Sequence, residues 1–142
     1  ALLGGRFPLV RLMIRLCRRD RSLQRQGSGY LKRAQWQDAC TVLNDAQATA
    51  LELSHVPWFA SNAQQHYATA VMLSCGAYIH LDDFEHALRL IQTATRQFDS
   101  WLSDSSMHEA RKTLYACRAQ LIKACRHVHQ VAAVQTQKSR TE

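Results

Sequence analysis

The amino-acid sequence predicts an all-α fold, and three observations carry that prediction. Five Gly and two Pro in 142 residues are too few for the many tight turns of a small all-β domain. No stretch alternates apolar and polar residues, and no Asn-Gly or Asp-Gly hairpin turn occurs. A helical pattern of small and large apolar residues is written twice, 48 residues apart. The length fits a single domain that buries roughly two-thirds of its extended surface. A hydrophobic content of 46% excludes wholesale disorder. No apolar run approaches the roughly 18–20 residues of a membrane-crossing helix.

The elements follow in order. From Pro8 the stretch 9–19 reads as a helix with Arg11, Arg15 and Arg18 on one side and apolar residues over most of the rest. It is expected to be a basic amphipathic arm (1–19) suited to an anionic membrane surface or an acidic partner. Its Arg-rich, acid-free character is also that of a mitochondrial targeting segment, and a chain beginning at Ala1 reads as a processed product or a fragment. Asp20 is expected to cap a helix running to about residue 33, with 34–53 as its partner. Ser61-x-x-Gln64 reads as a capping box opening a helix over 62–80. Asp82-Asp83 cap the next helix, and Glu85 completes an acidic first turn that complements the macrodipole. Ser106-x-x-Glu109 opens the last helix, whose Met107, Ala110, Leu114, Cys117, Leu121, Cys125 and Val128 recur at helical steps to about residue 134. Residues 20–134 thus form one helical domain, and the polar tail 135–142 has little to bury.

The repeat aligns Gly27 with Cys75, Tyr30 with Tyr78, Trp36 with Phe84, Ala39 with Ala87, Leu43 with Ile91 and Ala46 with Ala94. Small residues recur where helices must approach closely, and large apolar ones follow on the same face. Together with Leu23 and Val71, these two series resemble tetratricopeptide repeats. Ala34, Cys75 and Asp82 depart from the pattern by standing where that family often places Gly. The copies are separated by 14 residues beyond the family's usual 34-residue period. The resemblance implies two stacked hairpins with a long C-terminal helix, and a non-catalytic binding scaffold with a concave surface for peptides or helices. The positions matching the family's Lys/Asn carboxylate clamp are Gln24 and Ser28, so that clamp is not supported. The second copy offers an apolar inner surface of Met72, Leu73, Gly76 and Ile79, which either packs on the first hairpin or receives a partner's helix.

Charge is divided along the chain. Residues 1–33 carry a net +8, residues 34–105 a net −6 and residues 106–142 a net +5, a division that favours oriented docking. The basic run Arg11, Arg15, Arg18, Arg19, Arg21 and Arg25 reaches an acidic neighbour, an anionic membrane surface or structured RNA. Without interleaved aromatics it does not support sequence-specific readout. Trp58 and Phe59 follow the break at Pro57 and either cap the core or anchor a partner.

Enzymatic chemistry finds little footing. Cys125 and His129 share one helical face, with His127 close in sequence, but a zinc site needs two further ligands, and the candidates His80 and His86 lie in other helices whose placement the sequence does not fix. Cys17 lies next to Arg18 and Arg19 without a His or acid partner. The acids Asp82, Asp83 and Glu85 fit helix capping. The glycines match no phosphate-cradling loop. Five cysteines without a CxxC pair indicate a reducing compartment and no disulfide framework. No catalytic residue, cofactor or metal is expected. The expectation is a structural subunit making protein contacts in a larger assembly, mitochondrial or otherwise cytoplasmic. An RNA-docking subunit of a ribonucleoprotein such as a ribosome is the alternative, and a small metal- or cysteine-dependent enzyme is the third.

Overall fold

The computed structural model describes residues 8–104 and 111–141. These form five helices, α1 (Pro8–Lys32), α2 (Trp36–Leu53), α3 (Ala60–His80), α4 (Phe84–Ser103) and α5 (Arg111–Thr141), and no strand occurs among the described residues. The protein is all-α.

α3 is the hub, and its sequence explains why. It carries no Lys, Arg, Asp or Glu and buries residues on most of its circumference, the behaviour of a helix surrounded by others. α3 packs against α2, α4 and α5, and it meets α1 through Asp20 and Gln24, both bonded to His66. α2 lies against α1 and α3, and α4 against α3 and α5. The helices therefore form two layers, α1–α3–α5 and α2–α4.

α2 buries Ala39, Leu43, Ala46, Ala50 and Leu53, and α4 buries Ala87, Ile91, Ala94, Phe98 and Trp101. Each buried residue of α4 stands 48 positions after its counterpart in α2. The connections match as well. Ala34 and Asp82 take left-handed conformations with φ of 58° and 57°, the region that non-glycine residues enter at a cost of about 1–2 kcal/mol. The amide of Gln35 donates to the Tyr30 carbonyl, and that of Asp83 to the Tyr78 carbonyl, each at 2.9 Å. Trp36 and Phe84 open their helices half-buried, and Trp36 stacks on His80 with ring centroids 3.9 Å apart.

Several expectations need correction. There is no boundary between an arm and a capped helix at residues 19 and 20, because α1 runs unbroken from Pro8 to Lys32. Asp20 is therefore not a cap, and it turns into the fold. α3 starts at Ala60 with Phe59 at its N-cap and no side-chain cap bond, so Ser61 and Gln64 form no capping box. Gln64 is instead fully buried. Asp83 does cap α4, accepting from the His86 amide at 3.1 Å, whereas Asp82 supplies the left-handed turn. The Ser106/Glu109 box, Met107 and Ala110 lie outside the described residues. The tail continues α5 to Thr141. Residues 135–141 contain no Gly or Pro to stop a helix, and Lys138 and Arg140 complement the macrodipole at its C-terminal end.

Candidate protein-docking face

Charge separates by layer. α1 holds seven Lys/Arg and a single acid, α3 holds no Lys, Arg, Asp or Glu, and α5 holds seven Lys/Arg and no acid. The one acid is Asp20, which is 2% exposed. The acids of the other layer, Asp38, Asp45 and Glu52 on α2 with Glu85 and Asp99 on α4, are all exposed. The α1–α3–α5 face thus presents cations around an uncharged middle, with no exposed acid among its described residues.

Helical spacing orders the basic residues. Arg11, Arg18, Arg25 and Lys32 recur every seven residues and fall on the side of α1 opposite Asp20 and Gly27, which are buried. Arg15, Arg19 and Arg21 flank this row. All are exposed, and none has an acidic partner among the described residues. The six arginines singled out in the sequence therefore share one continuous helix. Near its start Val10, Leu12 and Ile14 are exposed at 39%, 50% and 47%. α1 is seven residues longer than α2, so its first turns project past its neighbour.

On α3, Thr69 and Gly76 lie on the side away from α2 and α4, flanked by half-buried Met72 and Leu73. A Cβ placed on Gly76 would meet nothing within 4 Å, so the floor of the face is open there. Met72, Leu73 and Ile79 also pack against the core. Beside this strip runs a cleft of about 400 Å³ lined by Gln65 and Thr69 of α3 and by Lys112, Ala116 and Gln120 of α5. Lys123 and His127 continue the α5 side at helical steps. Sequence reasoning missed this α5 wall.

Trp58 and Phe59 do not join the strip. The rise of α3 puts them about 20–30 Å from Met72–Ile79, in the connection between α2 and α3. Trp58 is 81% exposed and Phe59 half-buried. The partner-binding residues expected from sequence thus fall in two places.

The position of α1 is set by polar contacts that the sequence alone did not reveal. The Asp20 carboxylate pairs with Nδ1 of His66, and Gln24 Nε2 donates to the His66 carbonyl at 3.2 Å. The bond to Asp20 holds the His66 imidazole above its ordinary pKa, against an opposing push from burial. Asp20 Oδ1 is buried without a hydrogen-bond partner. Across the α2–α3 contact, Gln47 Nε2 donates to the Ser74 hydroxyl at 2.8 Å, and both residues are buried.

The cysteines behave as small apolar groups. Burial pushes Cys75 up to about 12 and raises Cys40 and Cys117, while Cys17 and Cys125 are half-buried. Among the described residues no three His, Cys, Asp or Glu side chains converge to hold a metal. No described helix is long and apolar enough to cross a membrane. No known protein family, curated protein or solved structure matches the chain.

Proposed function

We propose that the chain is a non-catalytic docking subunit of a larger, mitochondrial assembly, built as two tetratricopeptide-like hairpins and a closing helix. Its α1–α3–α5 face receives an amphipathic helix of a protein partner, with acidic flanks and an apolar ridge. The observation that carries this reading is that, among the described residues, α1, α3 and α5 carry no exposed acid. Exposed cations of α1 on one side and Lys112 and Lys123 of α5 on the other flank the Met72–Gly76 strip, so an acidic helix would meet complementary charge on both sides and an apolar floor between. The matched turns at Ala34 and Asp82 support the hairpin architecture, and the Arg-rich start of α1 supports the mitochondrial setting.

Site-specific photo-crosslinking tests the face directly. A crosslinker at Thr69 should capture a helical, acidic segment of one protein in native extract, while the same group at Thr41 on α2 should not. Equal capture from both positions, or capture at Thr69 of segments without acidic residues, overturns the reading. One observation favours a second reading, in which structured RNA docks on α1. The row Arg11, Arg18, Arg25 and Lys32 spans about 30 Å and could neutralise several phosphates. RNA crosslinking at Arg18, with steeply salt-dependent binding lost in Arg15→Gln/Arg18→Gln/Arg19→Gln, would establish it instead.

A further inference from the structure

On the other side of α5, facing α4 instead of α3, lies a groove that the docking reading does not use. Its floor is made by Ile91, which is 1% exposed, together with Ile122 and half-buried Cys125, and its volume is about 400 Å³. That falls within the range of small-molecule sites. Arg96 of α4 and Arg126 of α5 also line it, with His129 toward one end. Beyond the lining residues Arg118 Nε donates to Asp99 Oδ1 at 2.6 Å, so the acid three residues after Arg96 is already paired. Neither Arg96 nor Arg126 has an acidic partner among the described residues, and the groove holds no acid.

We infer that this groove binds a free medium-chain aliphatic carboxylate. Two guanidinium groups on neighbouring helices line one apolar floor with no acid in the lining, and one anion held by both would accept charge-assisted hydrogen bonds from each. The lining residues extend about 10 Å along α5, a reach that suits octanoate. Its chain lies over Ile91 and Ile122, and its carboxylate sits at Arg96 and Arg126. Ile91 belongs to the buried core and Cys125 packs against it, so this part of the floor is formed before the ligand arrives.

The experiment is a titration of the purified chain with octanoate below its micellar concentration, followed by isoleucine methyl NMR shifts. Saturable binding at one equivalent is expected, with Ile91 and Ile122 shifting most. Arg96→Gln and Arg126→Gln should each weaken binding about tenfold or more, and octanol, lacking the charge, should bind at least as weakly as the variants. Both arginines are exposed, so the variants keep the fold. Octanoate should also slow iodoacetamide modification of Cys125 but not of Cys17. Equal binding of octanol and octanoate, arginine variants that bind like the native chain, or no saturable binding overturns the inference. So does capture by phosphatidylglycerol vesicles through these arginines when octanoate does not bind, which would assign the groove to a lipid headgroup. Crosslinking at Thr69 is indifferent to all of these outcomes, so this site and the docking face stand or fall separately.

Discussion

Between α1 and α2 the chain reverses through Ala34, and 48 residues later, between α3 and α4, it reverses through Asp82 with the same hydrogen bonds. At the opposite ends of these pairs the likeness stops. In the second pair Phe98 lies edge-on to Trp101 with centroids 4.9 Å apart, and Tyr67 meets both rings at 6.2 Å and 5.7 Å. The corresponding residues of the first pair are Arg19, Ala50 and Leu53, so no aromatic cluster closes it. α1 is held instead by the Asp20–His66 pair to α3 and by a close crossing at Gly27, where an added Cβ would come within 2.5 Å of Leu43 Cδ2. A turn is thus fixed by local backbone bonds, whereas the grip of each pair depends on what its far end buries.

The sharpest test of this difference lies at the aromatic end. Phe98 is fully buried, and Phe98→Ala should lower unfolding stability by about 3–5 kcal/mol through lost transfer energy and an unfilled cavity. At the matching position Ala50→Gly should cost about 1 kcal/mol, chiefly through helix propensity. Comparable losses in urea denaturation would mean the pairs are gripped alike.

The crossing comes next. Installing the second pair's residue in the first, Gly27→Cys, should destabilise by about 1–3 kcal/mol, because buried Leu43 must move or leave its rotamer. The cost should shrink in a Leu43→Ala background, since the two changes share one space. In the second pair Cys75 already occupies the equivalent position, its Sγ 3.5 Å from the Ala87 carbonyl. Cys75→Ala should cost about 1 kcal/mol or less, as little volume is lost.

A smaller effect is tied to pH. Because the folded His66 pKa is raised above its ordinary 6.5, the native state holds that proton more tightly than the unfolded chain does. The contribution of the pair is complete below 6.5 and is lost as pH rises through the raised folded value. The ring is 35% exposed, and solvent screening keeps the effect to about 1 kcal/mol or less. Denaturation across neutral to alkaline pH should show this loss in the native chain and a flatter profile in His66→Gln.

Much of the architecture could be read from the chain, because it rests on local pattern. The spacing from Ala39 to Ala46 and from Ala87 to Ala94 marks two buried faces, and the structure extends each by about two further turns to Leu53 and Trp101. The arginine row was legible for the same reason, since seven-residue spacing on a helix needs no knowledge of its neighbours. Asp20 was misread because an Asp ahead of a helical run is the signature of an N-cap. Its burial depends on His66, 46 residues away, and no local rule reports that contact. The α5 wall of the α1–α3–α5 face was hidden similarly, since which side of α5 meets α3 is decided by packing.

The two turns differ in one removable feature. Gln35 and Asp83 are N-caps of nearly the same backbone shape, with φ/ψ of −92°/73° and −98°/67°. Asp83 reaches the His86 amide, while the longer Gln35 side chain turns away and accepts from Arg33 Nε at 3.1 Å. Gln35→Asp should let the first pair adopt the second's cap, with its carboxylate accepting from the Asp38 amide and favoured by the start of the α2 dipole. Asp38 itself is a like charge nearby, and the exposed Arg33 bond is given up, so the expected net gain is about 0.5 kcal/mol. Hydrogen exchange gives the decisive reading, because the Asp38 amide should become more protected even where the global gain is small. Unchanged protection there would mean that the two turns match in backbone trace but not in how they accept a cap, and the comparison would then hold for the chain's path alone.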